Sequence, residues 1–240
     1  MHATYVGMDN ENEIFRRAAQ NEIPSTIEKV LSKHWDIIVL QEATWNTLNP
    51  GIRYYSTEPA IKRLDSTIKR VSGKTVLYQG FADQIYQGYG EQKFPKKNCI
   101  FIEPFFFPSE PFVFDPNQEL KVTGKDTTFC TDSFNNSAEE FHALEIEYNK
   151  LATKINADVV EIGLAFEMCK KKYPEIKLYY SLDDNHPSKQ GAYLIACMFF
   201  KYLTGQNLEP IKYHGAVNEN EAKKSANWRI QSTLRLAHLK

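Results

Sequence analysis

An aspartate and a histidine lie three positions apart in YYSLDDNHPSKQGAYLIACMFF, residues 179–200, just before a long apolar segment. The imidazole of His186 can act as a general base near neutral pH, and a carboxylate such as Asp183 can fix its tautomer and orientation. Pro187 and Ser188 are typical of a helix start, so the pair would be anchored to a rigid element. The opposing interpretation is a solvated turn in which His186 only caps the helix, and an isolated D-x-x-H motif has many chance matches.

The elements that must position this pair follow an alternating pattern. Short β-branched runs at residues 36–41, 75–80 and 157–163 are predicted strands, and amphipathic helical stretches separate them. This alternation is typical of a parallel sheet covered by helices, and open sheets of this kind gather their functional groups at the carboxyl ends of the strands. The predicted fold class is α/β. The first strand, DIIVLQ, and the helix after His186 are both predicted to be buried.

Capping boxes predict where two of the helices begin. In such a box a serine caps the helix, and a glutamate three residues later returns the hydrogen bond. Ser25 with Glu28 predicts one start, and Ser137 with Glu140 predicts another.

The composition limits the partners that the chain could have. Its 240 residues include 29 Lys plus Arg and 30 Asp plus Glu, and the net charge is −1. This balance gives no electrostatic reason to expect nucleic acid or an anionic membrane as partner. The four cysteines lack metal-ligand spacing, so neither a metal nor another cofactor is predicted. No apolar run is long enough to span a membrane, and as written the chain is expected to be cytoplasmic.

Four stretches resemble the SGNH/GDSL hydrolase superfamily, and within it a bacterial branch of uncharacterised SGNH-like proteins. They are WDIIVLQE (residues 35–42), GKTVLYQGFAD (73–83), VVEIGLAFE (159–167) and DDNHPSKQGAYLIA (183–196). The resemblance implies a three-layer α/β/α, flavodoxin-like fold over residues 1–210. Residues 81–134, rich in aromatics and proline, would be an insertion with a short strand at 100–102, and residues 211–240 a helical tail.

The same resemblance implies ester hydrolysis, often the removal of acetyl groups from carbohydrates. His186 would be the general base and Asp183 its orienting carboxylate. Gln41 and Glu42 lie where the family contributes to the oxyanion hole or the substrate pocket. The next residues, ATW at 43–45, replace the small and amide residues usual there. The expected partner is a small ester or an acylated carbohydrate.

The nucleophile of the family is missing from this sequence. The family's serine lies in a G-[DN]-S turn after the first strand, and the chain contains neither GDS nor GNS. Either ATYVG at residues 3–7 is the family's second strand, so that a first strand, its helix and any signal for export are missing, or it is a decayed first block with Asp9 in the serine's place. Both interpretations predict impaired hydrolysis, because a nucleophile and its base act as a unit.

Two further expectations follow from the missing block. A non-catalytic binding or interaction module on the same fold is the alternative function. An unpaired position in the sheet would also favour self-association through that open edge.

Overall fold

The computed structural model describes residues 26–83, 99–101, 128–180, 186–206 and 213–226. Several sequence features lie outside these ranges. They are Asp183, Ser25, the segment at residues 3–9 with its possible strand and Asp9, and most of the predicted insertion. The predictions that concern them therefore stay predictions.

Strands and helices alternate along the described chain. The strands are β1 (Ile37–Gln41), β2 (Lys74–Tyr78), β3 (Cys99–Phe101), β4 (Thr128–Cys130) and β5 (Asp158–Val160). The helices are α1 (Thr26–Leu31), α2 (Thr44–Leu48), α3 (Pro50–Ile52), α4 (Glu58–Arg70), α5 (Ser137–Ile155), α6 (Ile162–Lys172), α7 (Lys189–Thr204) and α8 (Glu219–Ala226). A π-helical turn, Arg53–Thr57, joins α3 to α4. Within the described ranges, no helix combines the length and apolar character needed to cross a membrane.

The three strands predicted from β-branched runs form one parallel sheet in the order β1, β2, β5. The predicted α/β class is confirmed. Val76 and Leu77 of the central strand β2 are fully buried. In β1, by contrast, Leu40 alone is buried and Val39 is 41% exposed. The predicted burial of β1 is wrong because β1 is an outer strand of the described sheet and packs on fewer neighbours than β2.

The chain divides into two compact units, and the boundary falls inside β2 between Val76 and Leu77. The first unit holds α1, β1, α2 to α4, the start of β2, β3, β4 and the end of α5. The second unit holds the end of β2, most of α5, β5, α6, α7 and α8.

Helix α4 supplies much of the first unit's core. Pro59 lies in its first turn, and its buried apolar side chains are Ala60, Ile61, Leu64 and Ile68. The buried carboxylate of Asp65 accepts hydrogen bonds from Thr75 Oγ1 at 2.7 Å and from Lys69 Nζ at 2.8 Å. Lys69 Nζ also donates to the carbonyl of Ile155 at 2.7 Å. A buried charge is stable only when it is paired in this way, so this cluster ties α4 to β2 and to the end of α5.

Strands β3 and β4 form a separate antiparallel pair in the first unit. Cys99 lies opposite Cys130 in the register, and the two form a disulfide. The short strand predicted at residues 100–102 is confirmed as β3, one residue earlier. The disulfide was not predicted, because 31 positions separate the two cysteines and no local pattern indicates their pairing.

The cap of α5 lies one residue earlier than predicted. Asn136 Oδ1 accepts a hydrogen bond from the backbone N–H of Glu139 at 3.0 Å, and the Glu139 carboxylate accepts one from Asn136 Nδ2 at 3.1 Å. This is a reciprocal cap. The predicted box of Ser137 with Glu140 is wrong because Glu140 lies on the buried face of the helix. Its carboxylate accepts a hydrogen bond from the backbone N–H of Asp83.

Two alanine substitutions separate the predicted cap from the observed one. Asn136→Ala is expected to lower the free energy of unfolding by about 1 kcal/mol, the usual cost of losing a helix N-cap. Ser137→Ala is expected to cost less, since the Ser137 hydroxyl accepts its bond from the Lys170 side chain and not from the helix. Urea unfolding of both variants gives the comparison. A larger loss in Ser137→Ala would contradict the observed cap.

Candidate functional site in the second unit

His186 lies in a short antiparallel pairing just before α7. The backbone N–H of Tyr180 donates to the carbonyl of His186 at 2.8 Å, and that of Ser188 donates to the carbonyl of Leu178 at 2.8 Å. Tyr179 and Pro187, which lie between these two bonds, face each other as an isolated antiparallel bridge. The backbone of His186 is therefore fixed, while its side chain is exposed.

Ser188 joins this pairing to the helix. Its Oγ accepts hydrogen bonds from the backbone N–H groups of Gln190 at 3.1 Å and Gly191 at 3.2 Å. The same hydroxyl donates to the carbonyl of Lys177. The predicted helix start at this serine is confirmed, and the cap fixes His186 two positions before it.

Tyr179 anchors the pairing to the segment that follows β2. Its hydroxyl donates to the carbonyl of Ala82 at 2.7 Å, and the side chain is buried. The ring meets Phe81 and Phe166 edge to face at centroid distances of 5.7 and 5.6 Å. Those two rings stack on each other at 4.3 Å. Edge-to-face and offset aromatic pairs are favourable beyond their buried area, so this cluster connects the histidine segment to the carboxyl end of β2.

Helix α7 approaches the same pairing without room for a side chain at Gly191. A Cβ atom there would lie 2.1 Å from the carbonyl oxygen of Leu178. The buried side of α7 is formed by Gly191, Leu194, Cys197 and Met198. The helix was predicted to be buried, and this is wrong for part of its surface, since Leu203 is 56% exposed. The uniformly apolar sequence of α7 could not show which side packs.

Two polar residues follow β2 and β5 in the second unit. Gln79 is buried, its backbone N–H donates to the carbonyl of Val160 at 3.1 Å, and its side-chain oxygen accepts from the N–H of Leu164 at 3.3 Å. Gln79 thus supports the first turn of α6. Glu161 precedes that helix, and its side chain makes no capping hydrogen bond. Burial raises the pKa of the Glu161 carboxyl, and the negative charge of Glu145 raises it further.

This raised pKa predicts how stability depends on pH. The folded protein holds the Glu161 proton more tightly than the unfolded chain does. The contribution of Glu161 to stability is therefore fully present below the ordinary pKa of glutamate, and it is lost as the pH rises through the raised pKa of the folded state. Glu161→Gln is therefore expected to raise the urea midpoint at pH 7 and to change it little at pH 4. Glu145→Gln should give a smaller change of the same sign at pH 7. Equal gains at both pH values would contradict this assignment.

Gln41 and Glu42 belong to the first unit. Gln41 is the last residue of β1, and Glu42 follows it. Gln41 is exposed, whereas Glu42 is buried. Glu42 Oε1 accepts from the N–H of Ala43 at 2.7 Å and from Asn46 Nδ2 at 2.8 Å, and its Oε2 accepts from Thr57 Oγ1 at 3.2 Å. A carboxylate bonded at the start of α2 also interacts favourably with the helix dipole. The carboxylate of Glu42 therefore organises this corner of the first unit.

The D-x-x-H spacing indicated His186 as a candidate, whereas the groups that hold its backbone were not predicted. Tyr179 and Gly191 had no local signal, because their contacts are with Ala82 and Leu178, which are distant in sequence. Asn46, which donates a hydrogen bond to Glu42 in the first unit, was also missed, although only four positions separate the two residues.

Comparisons with known proteins show the fold. No family model matches the chain, and no curated protein matches it. A solved DUF4886 family protein from Bacteroides uniformis ATCC 8492 is similar, with a TM-score of 0.55 at 15% identity over 85% of this chain and 64% of that chain. The chain thus spans less than two thirds of that protein's length.

Two more solved structures match with lower TM-scores. A protein assigned to the SGNH hydrolases, from Slackia heliotrinireducens, has a TM-score of 0.49 at 12% identity, over 84% of this chain and 80% of that one. The acetyl xylan esterase AlAXEase has a TM-score of 0.42 at 13% identity, over 85% of this chain and 78% of that one. The likeness to the DUF4886 family protein shows a shared fold and nothing more, because the two sequences are only 15% identical.

Proposed function

We propose that this SGNH-like fold carries an ester-hydrolysing site in which His186 is the general base. The observation that supports this most is the combination of a fixed backbone and an exposed imidazole at His186. A general base must be held in place by its scaffold while its ring remains within reach of the substrate. The bonds from Tyr180 to His186 and from Ser188 to Leu178 provide the first condition.

Three further residues enter the proposal with different support. Asp183 is proposed as the carboxylate that orients His186, from its spacing and from the family resemblance. Gln41 and Glu42 are proposed, from the same resemblance, to contribute to the oxyanion hole or the substrate pocket. Gln41 is exposed at the end of β1, and the carboxylate of Glu42 accepts three hydrogen bonds at the start of α2.

The substrate that we propose is a small ester or an acylated carbohydrate, and the reaction needs no cofactor. We propose that hydrolysis by this chain is impaired, because its sequence has no G-[DN]-S turn. A base without its nucleophile retains little covalent catalysis. The same feature favours the alternative, a non-catalytic module that binds an acylated ligand or a partner.

Hydrolysis of p-nitrophenyl acetate tests the role of the histidine. In a longer version of the chain that carries a G-[DN]-S segment, His186→Ala is expected to lower the rate at least about a hundredfold, the usual share of general base catalysis. His142→Ala is the matched control, because His142 is also exposed and lies 3.4 Å from the carboxylate of Glu145. Its rate should equal that of the unmodified chain.

Two results would contradict the catalytic proposal. Equal losses in both histidine variants would remove the special role of His186. No hydrolysis by the unmodified chain, and none by a longer version that carries a G-[DN]-S segment, would favour the binding module instead.

A further inference from the structure

Tyr180 is the cross-strand neighbour of His186. Two backbone hydrogen bonds flank the bridge between Tyr179 and Pro187. One runs from the Tyr180 N–H to the His186 carbonyl, and the other from the Ser188 N–H to the Leu178 carbonyl. In an antiparallel pairing of this pattern, Tyr180 and His186 stand directly opposite each other. Directly opposite side chains project from the same face, with Cβ atoms about 5 Å apart.

The shared face of Tyr180 and His186 is the outer one. Successive side chains of an extended segment point to opposite faces. Tyr179 points inward, since it is buried between Phe81 and Phe166. Tyr180 must therefore point outward, and 48% of it is exposed. His186, on the same face, is exposed as well.

An ester bound at the His186 imidazole would lie within reach of the Tyr180 ring, because the two exposed side chains share one face of the pairing. An aromatic face attracts another ring or the C–H face of a sugar. The ring also costs little conformational entropy to order, because only two side-chain torsions must be fixed.

We propose that Tyr180 forms a substrate subsite beside His186 that binds the ring of the ester's alcohol portion, either an aryl ring or a pyranose. The proposal rests on the proposed ester hydrolysis and adds the part of the substrate that is recognised. Tyr180 is a specificity residue here, and esters without a ring gain nothing from it.

Two esters of acetic acid test the subsite. Tyr180→Ala is expected to raise KM for p-nitrophenyl acetate about five- to tenfold, the range expected for one ring contact. Neither kcat for that ester nor kcat/KM for ethyl acetate, which has no ring, should change. Tyr180→Phe keeps the ring and should behave as the unmodified chain. Tyr213→Ala is the control, since Tyr213 is 81% exposed in the same unit.

Equal losses for both esters in Tyr180→Ala would overturn the subsite, because they would indicate damage to the pairing that holds His186. An unchanged KM, or the same increase in Tyr213→Ala, would overturn it too.

Binding of acetanilide, an amide analogue that retains the ring, separates this inference from the hydrolysis. Tyrosine ring signals in NMR spectra should report binding about five- to tenfold weaker in Tyr180→Ala than in the unmodified chain. If that holds while no ester is hydrolysed, the proposed function fails and the subsite stands. If acetanilide binds both proteins equally, or neither, the subsite fails whatever the hydrolysis shows.

Discussion

Gly191→Ala is expected to destabilise the second unit by about 3 kcal/mol, although alanine favours a helix over glycine by about 1 kcal/mol. The new Cβ atom would lie 2.1 Å from the carbonyl oxygen of Leu178 and 3.1 Å from the ring of Phe166. The first of these neighbours is backbone, so no side-chain rotation relieves the overlap. Either α7 or the segment paired with His186 has to move.

Besides lowering stability, Gly191→Ala should also disturb the pairing that holds His186. The Leu178 carbonyl accepts the bond from the Ser188 N–H, and Ser188 also caps α7. Displacing Leu178 therefore weakens the hydrogen bond from Ser188 to Leu178, and it strains the neighbouring bond from Tyr180 to His186. Amide hydrogen exchange at Tyr180 and Ser188 should become faster in Gly191→Ala than global destabilisation alone explains.

Gly205→Ala is the matched control for this substitution. Gly205 ends α7 in a left-handed conformation, with a φ of 67° and no atom within 4 Å of a new Cβ. Its replacement should cost about 1 to 2 kcal/mol from backbone strain alone, and it should leave exchange at the histidine pairing unchanged relative to global stability. If Gly191→Ala were as stable as the unmodified chain, the close contact between α7 and Leu178 would be wrong.

The features predicted correctly from the sequence have causes within a few residues of themselves. The strands β1, β2 and β5 follow from β-branched runs, and the start of α7 follows from a serine that bonds to Gln190 and Gly191. Local propensity and capping chemistry are readable because their partners lie nearby in the chain.

The features that were missed depend on distant partners. Asn136 takes the cap of α5 because Glu140, which was predicted to serve it, turns inward and bonds to Asp83, 57 positions away. For the site, the spacing before α7 indicated His186, but the contact of Tyr179 with Ala82 spans 97 positions. A single sequence gives the residue types at such positions and not their pairing.

Removal of the Cys99–Cys130 disulfide is expected to lower the free energy of unfolding by about 3 to 4 kcal/mol. The bond closes a loop of 31 positions, and a cross-link of that span removes conformational entropy from the unfolded chain. The folded state loses support as well. Phe129, next to Cys130, accepts a hydrogen bond from Asn49 Nδ2 at 2.9 Å, and Asn49 Oδ1 caps α3. The double variant Cys99→Ser with Cys130→Ser is the direct test.

Reductant supplies the control for that test, because it acts on the bond without changing any other side chain. It should lower the stability of the unmodified chain to that of the double variant and leave the double variant unchanged. Unfolded without reductant, the chain should show two reactive thiols, Cys169 and Cys197, which are buried and free in the fold. Four reactive thiols after folding under oxidising conditions would contradict the pairing. Because reducing conditions break disulfides, the chain should unfold more readily under them than under oxidising conditions.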